Sequence, residues 1–367
     1  MKILYVTTIS LTMGFFKNFI GKLVEDGNTV EFACNCESPV DSFYDNLVTN
    51  IHNLPFSRSP FDKLNLAAYK QLKKLVENGE YDIVHCHTPV AAMITRLACR
   101  KMRKKGTKVI YTAHGFHFYK GAPKLNWLIY YPIEKICSYF TDVLITINKE
   151  DFALAQKKMK AKKVEYVPGV GIEVEKFANP GVTREQKREE LGIPQDAKLL
   201  ISVGELNKNK NHETVIRAIK DLDVYYIIAG CGDLQDYLQN IIDEFNLTDR
   251  VKLLGYRTDV AELYAASDVF VFPSFREGLG LAAIEAMAFG LPLIVADNRG
   301  TRDFCEKGIN GFVCNPSLSN EFAKAIECIL TDDSLKANMS QANIQKAKKF
   351  DVIPINDIML DIYSIKR

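Results

Sequence analysis

Short apolar runs recur along the chain, bounded by turn residues and separated by segments in which apolar positions return every three or four residues. In the first half the runs are KILYVTT, TVEFAC, YDIVHCHT, KVIYTAH, DVLITIN and KVEYVP. Helical spacing predicts a helix from about Phe15 to Glu25, ended by Gly27, and another over Ala91 to Lys104. The second half offers KLLISVG, YYIIAG, VKLLGY, DVFVFPS and LPLIVAD as strands. Between them the pattern predicts helices over Glu213–Lys220, Leu234–Glu244, Val260–Ala266 and Leu281–Phe289. Short β-branched runs alternating with amphipathic helices mean parallel sheets covered by helices, and here two of them. The charged, Pro- and Gly-containing stretch Pro168 to Pro194 is the join.

Length and composition fit this picture. A chain of 367 residues suggests two or three domains, and 47% hydrophobic with 25% charged residues is ordinary for a globular protein with a full core. No apolar run approaches the roughly 18 residues of a membrane span. MKILYVTT reads directly as a first strand rather than a signal peptide. Nine cysteines are scattered singly apart from Cys34 and Cys36, which points to core thiols in a reducing cytoplasm.

Charge changes the picture more. The net +2 divides unevenly: residues 1–178 hold 25 Lys and Arg against 17 Asp and Glu, and the remainder 22 against 28. The basic half contains RKMRKK (Arg100 to Lys105) and KKMKAKK (Lys157 to Lys163). A charge run is ordinarily a solvated face, but a whole half of one sign favours anionic partners. The segment APKLNWLIYYPIEKICSYF adds the only tryptophan, Trp127, with Tyr130, Tyr131, Tyr139 and Phe140. That composition suits either a membrane interface or a buried amphipathic helix, and the basic blocks lean toward an anionic membrane surface.

In open α/β sheets ligands bind beyond the carboxyl ends of strands, so candidate chemistry belongs just after them. After DVFVFPS comes EGLGLAAIE, with Glu277 in the turn and Glu285 on the second turn of the helix. Gly278 and Gly280 allow close approach of backbone N–H groups, and a helix N-terminus favours an anion such as a diphosphate. The flanking carboxylates would repel that anion, so their natural partners are hydroxyls, as on a nucleotide sugar. A capping-region acid and an exposed helix residue are the bland alternatives. The apolar neighbours LAAI and AMAF make the second of these weaker.

The run FPSFREGLGLAAIEAMAFGLPLIVAD resembles the E-x7-E signature of family-four glycosyltransferases. SVGELNKNKNHETVIRAI and IVHCHTPVAAMITRLACRKMRKKGTKVIYTAHGFHFYKG resemble its capsule and exopolysaccharide branch. The resemblance covers essentially the whole chain. It implies a GT-B fold of two Rossmann-like domains facing across a cleft. Residues 1–178 would take the acceptor, 179–348 would take the nucleotide sugar, and 349–367 would return to the N-terminal domain as a helix over about Pro354–Ile365.

On the same resemblance Glu277 lies against the transferred sugar and Glu285 takes the ribose, while Gly278, Leu279, Gly280 and Leu281 face sugar and diphosphate. Lys210 matches a diphosphate lysine. Glu205 stands where the family usually has an arginine, so either Lys208 or a basic group from elsewhere would replace it, or Lys210 and helix N–H groups would carry most of the diphosphate charge. His114 would reach the sugar from the N-terminal domain, with His117 beside it, whereas His85 reads as structural. Main-chain groups at Tyr256 and Arg257 would meet the base, and Gly14 would lie near the donor diphosphate or acceptor. The implied reaction is retaining transfer of a hexose, N-acetylated or related, from a UDP-sugar to a polyprenyl-diphosphate-linked saccharide. No metal and no nucleic acid would take part, and the enzyme would sit on the cytoplasmic face of the plasma membrane. A sugar-nucleotide epimerase sharing the architecture and a non-catalytic nucleotide-binding module are the alternatives.

Overall fold

A computed structural model of the chain describes residues 1–364. It divides into two compact units, one of Met1–Gly171 with the chain from Val352 onward, the other of Ile172–Asp351. The first holds seven strands: β1 (Lys2–Ile9), β2 (Thr29–Asn35), β3 (Asn50–Asn53), β4 (Ile83–His87), β5 (Lys108–Ala113), β6 (Val143–Thr146) and β7 (Lys163–Tyr166). They pair in parallel in the order β3-β2-β1-β4-β5-β6-β7. The second holds β8 (Leu199–Val203), β9 (Tyr225–Ala229), β10 (Val251–Leu253), β11 (Val269–Phe272), β12 (Leu293–Ala296) and β13 (Gly311–Cys314). These run β10-β9-β8-β11-β12-β13, again in parallel. In both sheets the order reverses between the first strand of the unit and the fourth, the switch point at which such sheets bind ligands.

The central strands are buried on both faces, which is why they read as continuous apolar runs. Two apolar layers sandwich the first sheet. One includes Leu72, Val84 and Val109, and the other Ile3, Phe32 and Ile110. The helix Val352–Ser364 lays Ile355, Met359 and Ile362 into the second layer, so the terminal helix belongs to the N-terminal unit; Ile365 lies outside the described residues. In the second unit Leu200, Val271 and Ile294 form a layer with Ile216, Ile241 and Ile326 from the covering helices.

Local corrections have physical causes. The segment expected to start a helix at Phe15 opens with tight 3-10 turns over Ser10–Phe16, and α-helix begins only at Lys17. The single helix expected over Ala91–Lys104 is two, Pro89–Ala98 and Arg100–Lys105, divided by a turn at Cys99, whose backbone stays in the right-handed helical region at φ −76° and ψ −6°. Of the aromatics of APKLNWLIYYPIEKICSYF, three turn to the core and Tyr139 stays exposed. On the helix Lys124–Ser138, Trp127, Tyr130 and Tyr131 pack against the core, and Trp127 Nε1 donates to the Tyr119 carbonyl at 3.2 Å. The outward side chains are Leu125, Leu128, Ile136 and Tyr139. Arg103 of the basic block also turns inward, pairing with Asp142 at 3.0 Å.

Candidate active site

Three loops of the C-terminal unit converge beyond the ends of β8, β11 and β12. The first, Gly204–Asn211, is tied to the second by main-chain and amide bonds. The Phe275 amide donates to the Asn209 carbonyl (2.8 Å), Asn209 Nδ2 to the Arg276 carbonyl (2.9 Å), and Asn211 Nδ2 to the Pro273 carbonyl (3.1 Å). Asn298, just after β12, donates from Nδ2 to the Ser274 carbonyl at 2.9 Å. These asparagines hold the Glu277 loop from both sides, and nothing in the sequence pattern marks them.

At the centre Lys210 Nζ lies 2.7 Å from Glu277 Oε1, both side chains largely shielded, with the ammonium 4.9 Å from the centre of the Phe272 ring. The two residues expected to serve phosphate and sugar are therefore brought together as an ion pair. Gly280 adopts φ 105°, and a Cβ there would stand 2.9 Å from the Phe272 ring. Its freedom turns the chain sharply into the helix Leu281–Phe289, whose N-terminus follows the Gly278–Leu281 stretch.

Glu285 sits one turn into that helix. Burial pushes its carboxyl up to about 7, opposed by the Tyr264 hydroxyl, 3.4 Å from Oε2, and by the charge of Lys176. It lines a pocket of about 380 Å³ with Lys176, Phe177, Thr258 and Glu262. Glu285 is thus a half-buried wall residue of a polar pocket, not a solvated helix acid.

Other candidates fall outside this cluster. Lys208 is exposed on the wall of a groove of about 640 Å³ that also takes in Asn207, Asn211 and Phe275 of the same loops, with Arg217 and Tyr237. Tyr256 is 79% exposed. The Arg257 side chain pairs with Asp259 and with Glu190 at 2.9 Å, so only its main chain is available for a ligand. Glu190, Asp259 and Glu262 cluster closely enough for a cation, but Lys187 Nζ already bridges all three within 2.8 Å.

The N-terminal unit carries a second constellation. β4 alternation sets His85 and His87 on one face, ring centres 4.1 Å apart. His85 is fully engaged, Nδ1 with the Tyr363 hydroxyl (2.7 Å) and Nε2 with Thr112 (2.8 Å). His87 Nδ1 lies 3.0 Å from His114 Nε2. Burial lowers His85 to about 3 and His114 to about 4, and takes His87 well below its ordinary value, so all three rings are neutral. A cavity of about 30 Å³ beside them is lined by Phe15, Phe16, Ile355 and Asn356, among others. His87 Nε2 and Asn356 Oδ1, both on its wall, have no hydrogen-bond partner among the described residues. His117 stacks on Tyr130 at 4.6 Å. Gly14 is exposed within the 3-10 turns, with open space where a side chain would be.

Sequence comparisons place these loops in a family. Residues 183–346 match the model described as glycosyl transferases group 1, and residues 2–148 the one described as glycosyl transferase 4-like. A Bacillus subtilis (strain 168) protein named as a glycosyltransferase, EpsD, is 41% identical over 319 residues, covering 85% of this chain and 84% of its own. The chain belongs to the family-four glycosyltransferases. A second relative, the Escherichia coli protein named UDP-Gal:alpha-D-GlcNAc-diphosphoundecaprenol alpha-1,3-galactosyltransferase, is 28% identical over 91% of this chain and 88% of its own. Anabaena HepE, solved in complex with UDP and glucose, superposes with a TM-score of 0.82 at 22% identity over 99% of both chains. The fold is GT-B, and this glycosyltransferase is a nucleotide-sugar-dependent enzyme.

Proposed function

We propose that this glycosyltransferase moves a hexose from a UDP-sugar to a hydroxyl of a polyprenyl-diphosphate-linked saccharide, with retention at the anomeric carbon, in capsule or exopolysaccharide synthesis. The observation that carries the donor half is the Lys210–Glu277 pair at the mouth of the Leu281–Phe289 helix, with Glu285 one turn further in. A diphosphate at the helix N-terminus draws Lys210 toward it, frees Glu277 for the sugar, and leaves Glu285 to accept from the ribose hydroxyls. The bond from the anomeric carbon to the diphosphate oxygen breaks as the acceptor oxygen bonds to the same face. The acceptor proton passes to the departing diphosphate. Glu277 stabilises the oxocarbenium-like centre, and Lys210 with helix N–H groups stabilises the leaving charge. That division of labour makes a divalent cation unnecessary, so turnover is expected to survive EDTA.

The choice of uridine and of a lipid diphosphate is supported by what the Anabaena and Escherichia coli proteins are named for. His114, a neutral imidazole in an apolar surrounding, suits hydrogen bonding to a sugar hydroxyl without added charge. The enzyme works at the cytoplasmic leaflet. Among the described residues no helix is long and apolar enough to cross a membrane. Leu125 and Leu128, 62% and 73% exposed on a helix that begins at Lys124, offer an apolar and basic face for shallow insertion. Incubation with a panel of UDP-sugars and lipid-diphosphate saccharides, read by mass spectrometry with NMR of the new linkage, tests the proposal. A β-linked product from an α-linked donor refutes retention. Release of an altered sugar nucleotide without acceptor would instead make the chain an epimerase.

A further inference from the structure

We propose that the cavity beside His87 is a subsite for one hydroxyl of the acceptor saccharide, held between His87 Nε2 and Asn356 Oδ1; this rests on the transfer reading above. Both atoms are buried, stand on the wall of the same cavity, and have no hydrogen-bond partner among the described residues. Leaving buried polar atoms unmet is costly, so a pair of them facing one space marks a place for a ligand to complete. The fold carries both to it. His87 ends β4, beside the switch point between β1 and β4. Asn356 arrives on the helix Val352–Ser364, which Ile355 and Met359 fasten into the apolar layer on that face of the sheet. The same helix satisfies His85 through the Tyr363 hydroxyl and leaves His87 Nε2 unmet.

Size, charge and hydrogen-bond count select a hydroxyl. A volume of about 30 Å³ admits roughly one or two non-hydrogen atoms. The surrounding walls are apolar, from Phe16, Ile145 and Met359, and His87 and His114 are neutral, so a charged group is disfavoured. Asn356 Oδ1 only accepts, so the ligand must donate to it. A hydroxyl spends its single hydrogen there, and its oxygen accepts from His87 Nε2, which then carries the ring proton. His87 Nδ1 is left to accept from His114 Nε2 across 3.0 Å, and His114 Nδ1 becomes a bare acceptor. One bound hydroxyl therefore fixes both tautomers. A water, with two hydrogens, imposes no such order. Exposed Phe15 and half-buried His114 share the wall, so the cavity is reached from the protein surface.

Transfer kinetics of the whole protein test the subsite, using the lipid-diphosphate monosaccharide that the wild type accepts from the panel above and each of its monodeoxy analogues. One analogue, other than the one lacking the attacked hydroxyl, is expected to lose about ten- to a hundredfold in kcat/KM with the wild type, the scale of leaving buried polar atoms unpaired. Most of that loss is expected in KM. With N356L the same analogue and its parent are expected to differ by less than about twofold, because hydroxyl and carbonyl act as one coupled pair. A general structural defect in N356L would lower both substrates alike and leave their ratio as in the wild type. If circular dichroism shows N356L unfolded, N356A takes its place with the same expected collapse of the ratio. Ratios that stay the same in wild type and variant for every analogue overturn the subsite, as does coupling of Asn356 to a hydroxyl of the donor sugar instead. Wild-type protein that transfers to no saccharide of the panel overturns the transfer reading itself.

Discussion

The two units share a parallel sheet with the same kind of switch point, yet they build opposite chemistry at it. In the C-terminal unit the ends of β8, β11 and β12 carry an ion pair, a buried arginine and a carboxyl raised to about 7. In the N-terminal unit the ends of β4 and β5 carry three neutral imidazoles wrapped in Tyr5, Phe16 and Phe19. On the donor reading proposed above, the first end meets an anion and the second something uncharged. The same topology serves both because loops, not strands, supply the charge.

The largest effect that could break this contrast is at Glu277. E277Q is expected to lower turnover by about 10²–10³, the scale of losing one electrostatic stabiliser, while UDP affinity holds or rises because Lys210 is released. Steady-state rates beside calorimetry check both halves, and a wild-type rate removes Glu277 from the chemistry. K210M acts on the opposite side of the pair. Its UDP affinity is expected to fall about ten- to a hundredfold, with uridine unaffected.

Glu285 sharpens the contrast through pH. A carboxyl held at about 7 by burial is largely protonated at pH 6, when it is a poorer acceptor for two ribose hydroxyls. Affinity for a UDP-sugar is expected to rise about tenfold from pH 6 to 8, the span over which such a group ionises, and E285Q is expected to flatten that dependence. Calorimetry at three pH values decides it.

The imidazoles predict a loss of stability on acidification as well. His85, His87 and His114 stay neutral when folded, whereas on unfolding each binds a proton below about 6.5. Stability is therefore full above that value and falls as pH drops toward 4, by about 1–2 kcal/mol per histidine at pH 5. The C-terminal unit has only His212 of this kind, lowered to about 4 by burial. Limited proteolysis at pH 5 is expected to open the N-terminal unit first. Earlier cleavage in the C-terminal unit would count against the histidine account.

What the sequence made legible follows from the range of each interaction. Apolar periodicity is local, so the central strands and the Leu281–Phe289 helix could be read from it, as could the place of Glu277 before that helix. The edge strand Asn50–Asn53 has a single isoleucine among polar residues and carries no such signal. Pairings across loops are not local either. Lys210 meets Glu277 from 67 positions away, and Arg299 reaches its carbonyl from 22, so neither contact has a spacing to recognise. Trp127 shows the limit of composition: it suited an interface or a buried helix equally, and helical phase turned the ring to the core and left Leu128 outside.

The most direct test of the central claim, that donor charge is met by the C-terminal loops and the N-terminal imidazoles serve an uncharged group, is hydrogen–deuterium exchange with and without UDP. The account predicts protection concentrated in peptides spanning Glu205–Asn211, Phe275–Glu285 and Asp297–Thr301. Protection confined to peptides spanning Ile83–Phe118, with the three C-terminal loops unchanged, would contradict it.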